Sequence, residues 1–169
     1  PAAPTLQIRE LSNRIIINLQ NDKAFNNEGE SYDEMYAPAL QYFNSHGGNV
    51  DTTYTFEGYK LYQVANPKVS ATDLSDPTKA LLYAQVDLKN GVSRIVNYEK
   101  DPVLGMYVPV MKVDGADAGI TTSFNITQDL FATSDNKALV NHKTYYYTAV
   151  AYAYNDYLKY DQANPVQGA

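Results

Sequence analysis

From Lys143 to Asn155 the chain reads KTYYYTAVAYAYN, an uninterrupted β-type run whose only charge is the opening lysine. A strand with one face in water alternates apolar and polar side chains. This one does not. Tyr145, Tyr147, Ala149, Ala151 and Ala153 share one face, and Tyr146, Thr148, Val150, Tyr152 and Tyr154 share the other. Both faces need cover, so the strand is central in a layered β protein or lies beneath extra segments of chain.

At 169 residues the chain suits one domain spanning 1–169, with room for long insertions around a real core. An apolar fraction of 44% and a charged fraction of 19% place it with globular proteins. The net charge of −6 argues against a nucleic-acid partner, which would call for clustered Lys and Arg. No window approaches the roughly 18 apolar residues of a membrane span, so no membrane insertion is expected. Cysteine is absent, which removes disulfide and thiolate chemistry. Sixteen tyrosines without a tryptophan suit β surfaces, interfaces and sugar-stacking platforms alike. The opening PAAP carries no leader pattern, so an export signal is expected to lie outside this sequence.

Along the chain, Thr5 to Glu10 and Asn13 to Gln20 read as two strands joined by a short polar turn. Residues 21–53 form an insertion rich in polar residues, with a helical stripe of Met35, Ala39 and Tyr42. Strand character returns at Tyr54 to Ala65, where Tyr59 and its apolar neighbours surround Gly58. Ser75-Asp76-Pro77 has the form of a helix start. Leu81 to Leu88 and Val92 to Tyr98 flank Asn90-Gly91, the strongest hairpin signal in the chain. A second insertion covers 101–137, in which two short strands flank residues 114–119 as another hairpin and Thr127 to Leu130 starts a brief helix. With about eight strands and little helix, the expected fold is an all-β antiparallel sandwich.

The order of these segments resembles the fibronectin type III domain: a proline-led first strand, an aliphatic second, FEGYKLYQ as the third, and LVNHKTYYYTAVAYAYN as the sixth. The resemblance makes Leu139, six residues before Tyr145, part of that family's approach to its sixth strand, and makes Tyr145 a tyrosine corner. Asn141-His142 replaces the family's Pro-Gly, and the second-strand tryptophan is missing. The segments YTFEGYKLYQ, DPTKALLYAQVDLKNGVSRIVNYEKD and VDGADAGITTSFNIT are similar to a domain of very large secreted proteins of the Bacteroidota. That similarity implies type IX secretion and an extracellular or cell-surface location. It also implies partners among neighbouring domains of a long chain, the secretion machinery, or a surface protein or glycan. The β pattern fades after Asp156, so the seventh strand of that family is expected from downstream residues or from another chain adding a strand.

Chemistry has few residues to work with. His46 and His142 stand alone, and no HExxH, GxSxG or phosphate-binding glycine loop is present. The expectation is a protein that is not an enzyme and needs no cofactor. Asp22, Glu28, Glu30, Asp33 and Glu34 crowd the first insertion, but a solvated acidic loop outweighs both calcium binding and a glycosidase pair. Asp114 and Asp117 could offer oxygens to calcium, against the plainer reading of a hairpin turn. Tyr146, Tyr152 and Tyr154 form a row suited to stacking on sugar rings, against burial under an insertion. The resulting expectation is a structural or adhesive module, with a carbohydrate-binding module of a secreted hydrolase as the alternative.

Overall fold

Alternating aliphatic residues make the first hairpin. The computed structural model describes residues 1–47 and 51–155, where β1 (Thr5–Leu11) and β2 (Arg14–Gln20) pair antiparallel with Leu6 opposite Leu19 and Ile8 opposite Ile17. Asn13 closes the turn at φ 53°, a left-handed conformation that asparagine tolerates. The first insertion then supplies β3 (Asp33–Met35) and α1 (Ala37–His46). Pro38 sits in the first turn of α1, and Gly47 ends the helix at φ 68°. Next come β4 (Thr53–Val64), β5 (Ala80–Asp87), β6 (Arg94–Lys100) and β7 (Tyr107–Asp114). Last among the described residues are β8 (Ser123–Ile126) and β9 (Tyr146–Tyr154).

One sheet has the order β1-β2-β8, with Ile17 opposite Phe124. The other is built on β4. β9 pairs along one edge, from Thr55 opposite Tyr154 to Val64 opposite Tyr146, while β3 and β5 divide the other edge between them. The sheets face each other through Ile17, Leu19 and Ile126 on one side and Phe56, Tyr59, Leu61 and Ala149 on the other, with Leu139 closing the core. The chain is therefore an all-β antiparallel sandwich with long insertions, and among the described residues it has one short α-helix. Among the described residues β6 and β7 pair only with each other, forming an arm off the second sheet.

The two faces of β9 divide as its sequence requires. Ala149 is buried in the core and Tyr145, Tyr147 and Ala151 pack against it, while Tyr146, Thr148, Val150, Tyr152 and Tyr154 lie half-buried on the outer face. β4 carries one bulge, facing β9, where Glu57 is the extra residue, and in the β4–β5 pairing the extra residue is Tyr83 of β5. A strand beyond residue 157 falls outside the described residues.

Several local expectations fail for identifiable reasons. Asn90-Gly91 does turn, with Gly91 at φ 91°, but β5 pairs with β4 and β6 with β7, so the turn carries the chain from the sheet into the arm. Residues 114–119 are likewise no hairpin, since β7 pairs with β6 and β8 with β2. β8 thus belongs to the sandwich although it lies inside the span expected as an insertion. The turn expected to start a helix at Ser75 begins five residues earlier, where Ser70 and Asp73 form a capping box around Ala71–Asp73. Asp76 instead accepts the backbone and hydroxyl protons of Thr78. Thr127 to Leu130 is held by a bridge between Gln128 and Ala138 rather than by helical bonds. Met35 lies in β3 and is exposed, so of the expected stripe only Ala39 is fully buried.

Candidate functional site

The polar side chains that the fold buries sit where a segment of irregular chain meets the second sheet. Tyr59 contributes its ring to the core, and its hydroxyl accepts a hydrogen bond from the Asn21 amide at 2.6 Å. Buried Asn27 also meets that hydroxyl, while its Oδ1 accepts the Tyr32 N–H. The first insertion is therefore fastened at Tyr59. Burial raises the Glu30 carboxyl above its ordinary pKa, with a hydrogen bond to Tyr59 opposing.

A second fastening joins β4 to the chain leading into β9. Gln63 is buried, donates to Asp129 Oδ1 at 2.7 Å and accepts the Leu130 N–H at 2.7 Å. Asp129 also accepts from Phe131 N–H at 3.0 Å and from Lys143 Nζ at 2.6 Å. Burial pushes the Asp129 carboxyl up, but the Lys143 ammonium, the Gln63 amide and the Phe131 N–H outweigh it and hold the pKa below its usual range.

The third lies beneath the arm. Asp87, at the end of β5 and 1% exposed, accepts the N–H groups of Ala116 and Asp117. A side chain at Gly115 would run into that carboxylate, so the close approach needs glycine. Asp117 in turn accepts from Asn90 N–H at 2.8 Å and Gly91 N–H at 3.0 Å. Glu57, also 1% exposed, accepts from the Asn90 amide at 2.8 Å through Oε2, while its buried Oε1 has no partner.

These contacts locate the residues singled out from sequence. Asp114 faces Arg94 at 3.2 Å on the exposed side of the arm, whereas Asp117 turns to the loop amides, so the two point to different partners. Among the described residues no group of three or more His, Cys, Asp or Glu is arranged to hold a metal ion. Tyr152 lies over Gly58, directs its hydroxyl to Val86 O at 3.4 Å and has the Lys60 ammonium 5.6 Å from its ring centre. Its ring is packed onto the sheet. Tyr146 and Tyr154 are half-buried on the same face. Tyr145 accepts the Val140 N–H at 2.8 Å, which is tyrosine-corner geometry. His46 stacks on Tyr42 at 4.2 Å, and His142 occupies a turn at φ 66°.

A groove of about 350 Å³ opens between the β1–β2 hairpin and the segment leading into β9. Ile8, Leu11 and Ile15 line it from one element and Leu139, Tyr145 and Tyr147 from the other, with Arg14 and His142 adding polar groups. Asn141 ties the two elements together by accepting the Asn13 N–H at 2.8 Å. The volume lies at the low end of small-ligand sites. Sequence reasoning missed Glu57, Asp87, Gln63 and Asp129. The available signal for the first two was an acid next to apolar strand residues: Glu57 beside Phe56 in TYTFEGYKLYQV, and Asp87 closing ALLYAQVD.

Fold and site together define an antiparallel sandwich whose buried polar groups clamp irregular segments onto one sheet. No protein-family model matches the sequence, and neither a curated protein nor a solved structure matches it.

Proposed function

We propose that this chain is a non-catalytic structural and adhesive module, a fibronectin type III-like spacer in a large exported surface protein of the type IX secretion class found in Bacteroidota. The observation that carries the reading is the use made of buried polar groups. Asp87, Asp129, Gln63 and Asn27 face backbone and side-chain donors of the folded segments, where they fix loop shape. The strand orders β1-β2-β8 and β5-β4-β9, with Tyr145 reaching back to Val140, support the family resemblance. Such a module works mechanically: it separates neighbouring domains and presents its arm and groove.

The carbohydrate-binding alternative moves from the outer tyrosine row to the groove, because Tyr152 is committed to packing on Gly58 while Tyr145 and Tyr147 line an open depression. A glycan array run beside a thermal melt separates the two. The spacer reading expects one sharp unfolding transition and no glycan retained. Saturable glycan binding that disappears in Arg14→Ala, with the melt unchanged, would overturn it.

A further inference from the structure

Glu57 is the bulged residue of β4 and sits where the arm joins the sheet. One of its oxygens is engaged by Asn90, and the other is buried and empty. A carboxylate in that position forgoes water at one oxygen, which is costly for the ionised form and far less so for the neutral acid. We propose that Glu57 is a proton-operated clasp, holding the β6–β7 arm against the second sheet when protonated and loosening it when ionised.

The groups that face it support this direction. Asp87 approaches from β5, Asp117 from the chain returning from the arm, Tyr152 from β9, and Asn90 from the turn into the arm. Burial raises the Glu57 pKa above its ordinary value. The hydrogen bond from Asn90 opposes the rise, and the negative charges of Asp87 and Asp117 add to it. Lys60, the cation on the same face, donates to the Lys112 carbonyl of β7. A proton lost from Glu57 therefore places another charge among acidic neighbours under cover of the arm. The relief open to the chain is to move its cover. That cover is the Asn90-Gly91 turn and the 115–117 segment, both held by hydrogen bonds to carboxylates.

The sign follows from linkage. A carboxyl whose folded pKa is raised contributes stability below its ordinary value and loses that contribution as pH rises through the raised value. Each unit of upward shift changes the docking equilibrium about tenfold across that window. The folded chain, labelled with carbon-13 and nitrogen-15, is titrated from about pH 4 to about pH 9. The Glu57 carboxyl shift and the intrinsic-rate-corrected exchange of the Gly91, Ala116 and Asp117 amides are followed together. The expected result is a Glu57 titration above the ordinary glutamate value, with those amides losing protection in step. Glu57→Gln, whose amide oxygen still accepts from Asn90, is expected to keep the arm docked at every pH.

Titration of Glu57 at its ordinary value would overturn the proposal, and that measurement needs no variant. So would a wild-type pH response that persists in Glu57→Gln. If added calcium restores protection to the wild type at high pH but not to Glu57→Gln, the empty oxygen belongs to a cation site and the proton clasp is wrong.

Discussion

Asp129 offers the sharpest test of the idea that buried carboxylates hold this molecule's irregular segments in place. It is 3% exposed, and its two oxygens have separate partners. Oδ1 accepts from the Gln63 amide and the Phe131 N–H, and Oδ2 accepts from Lys143. In Asp129→Ala the Gln63 and Phe131 donors lose their acceptor. Gln63 cannot turn to find another, because its own oxygen holds the Leu130 N–H. Each buried donor left unpaired costs about 1–3 kcal/mol. The Lys143 side chain is 53% exposed and returns to water, so its loss adds little. The sum is about 2–6 kcal/mol, toward the lower end because the Phe131 N–H is only part-buried. Asp129→Asn keeps an oxygen for Gln63 and Phe131 and sacrifices only the Lys143 contact, so it should cost about 1 kcal/mol. Urea unfolding followed by tyrosine fluorescence and circular dichroism measures both. Because the Asp129 pKa is lowered, its contribution is present above the ordinary aspartate value and is lost as pH falls through the lowered one. Wild type should therefore lose stability on acidification more steeply than Asp129→Asn. Equal costs for Ala and Asn, or parallel acid limbs, would refute the reasoning.

Gly58→Ala is expected to destabilise by about 1–3 kcal/mol, since the new methyl would collide with the Val86 carbonyl on the paired strand as well as with Tyr152. Trimming Tyr152 to Leu in the same chain should not restore stability, because the backbone clash remains; full rescue in a denaturant series would show that the tyrosine alone set the limit. Tyr145→Phe should cost about 0.5–1 kcal/mol in the same assay. The hydroxyl bonds Val140 N–H at an exposed site that water can reach, and a loss well above that range would mean the corner does more than satisfy one amide.

The sandwich was legible because its strands carry period-two patterns that match burial. Ile17 and Leu19 alternate inward along β2, Tyr59 and Leu61 along β4, and Ala149 sits at the middle of β9 with tyrosines on either side. The double-faced character of Lys143 to Asn155 correctly indicated that its second face would not be freely exposed. The arm was misread for a different reason. Asn90-Gly91 has the composition of a two-residue hairpin turn, but composition reports only which backbone angles are tolerated. The partner of a strand is decided by which edge is available, and β4 already offers β5 a register from Gly58 to Val64.

The same distinction explains why the candidate site was hard to find. Asp114 and Asp117 attracted notice because they stand close together in a glycine-containing loop, a local pattern. Glu57 and Asp87 are 30 positions apart, and they meet only because Gly58 stands opposite Asp87 in the β4–β5 register. Local spacing cannot report such a meeting. A charge in mid-strand can. In an antiparallel sandwich an acidic residue flanked by buried apolar neighbours faces either solvent or a polar partner brought in from elsewhere. Glu57 is 1% exposed although the outward face of a sandwich strand ordinarily meets water, so its partner is a segment laid over the sheet. Glu57 and Gly58 therefore carried two separate pieces of information: the glycine marks the close approach of the Val86 carbonyl and the Tyr152 ring, and the acid marks a donor-bearing loop laid over the sheet. The Asn90 side chain and the amides of 116 and 117, arriving at Glu57 and Asp87, are that loop.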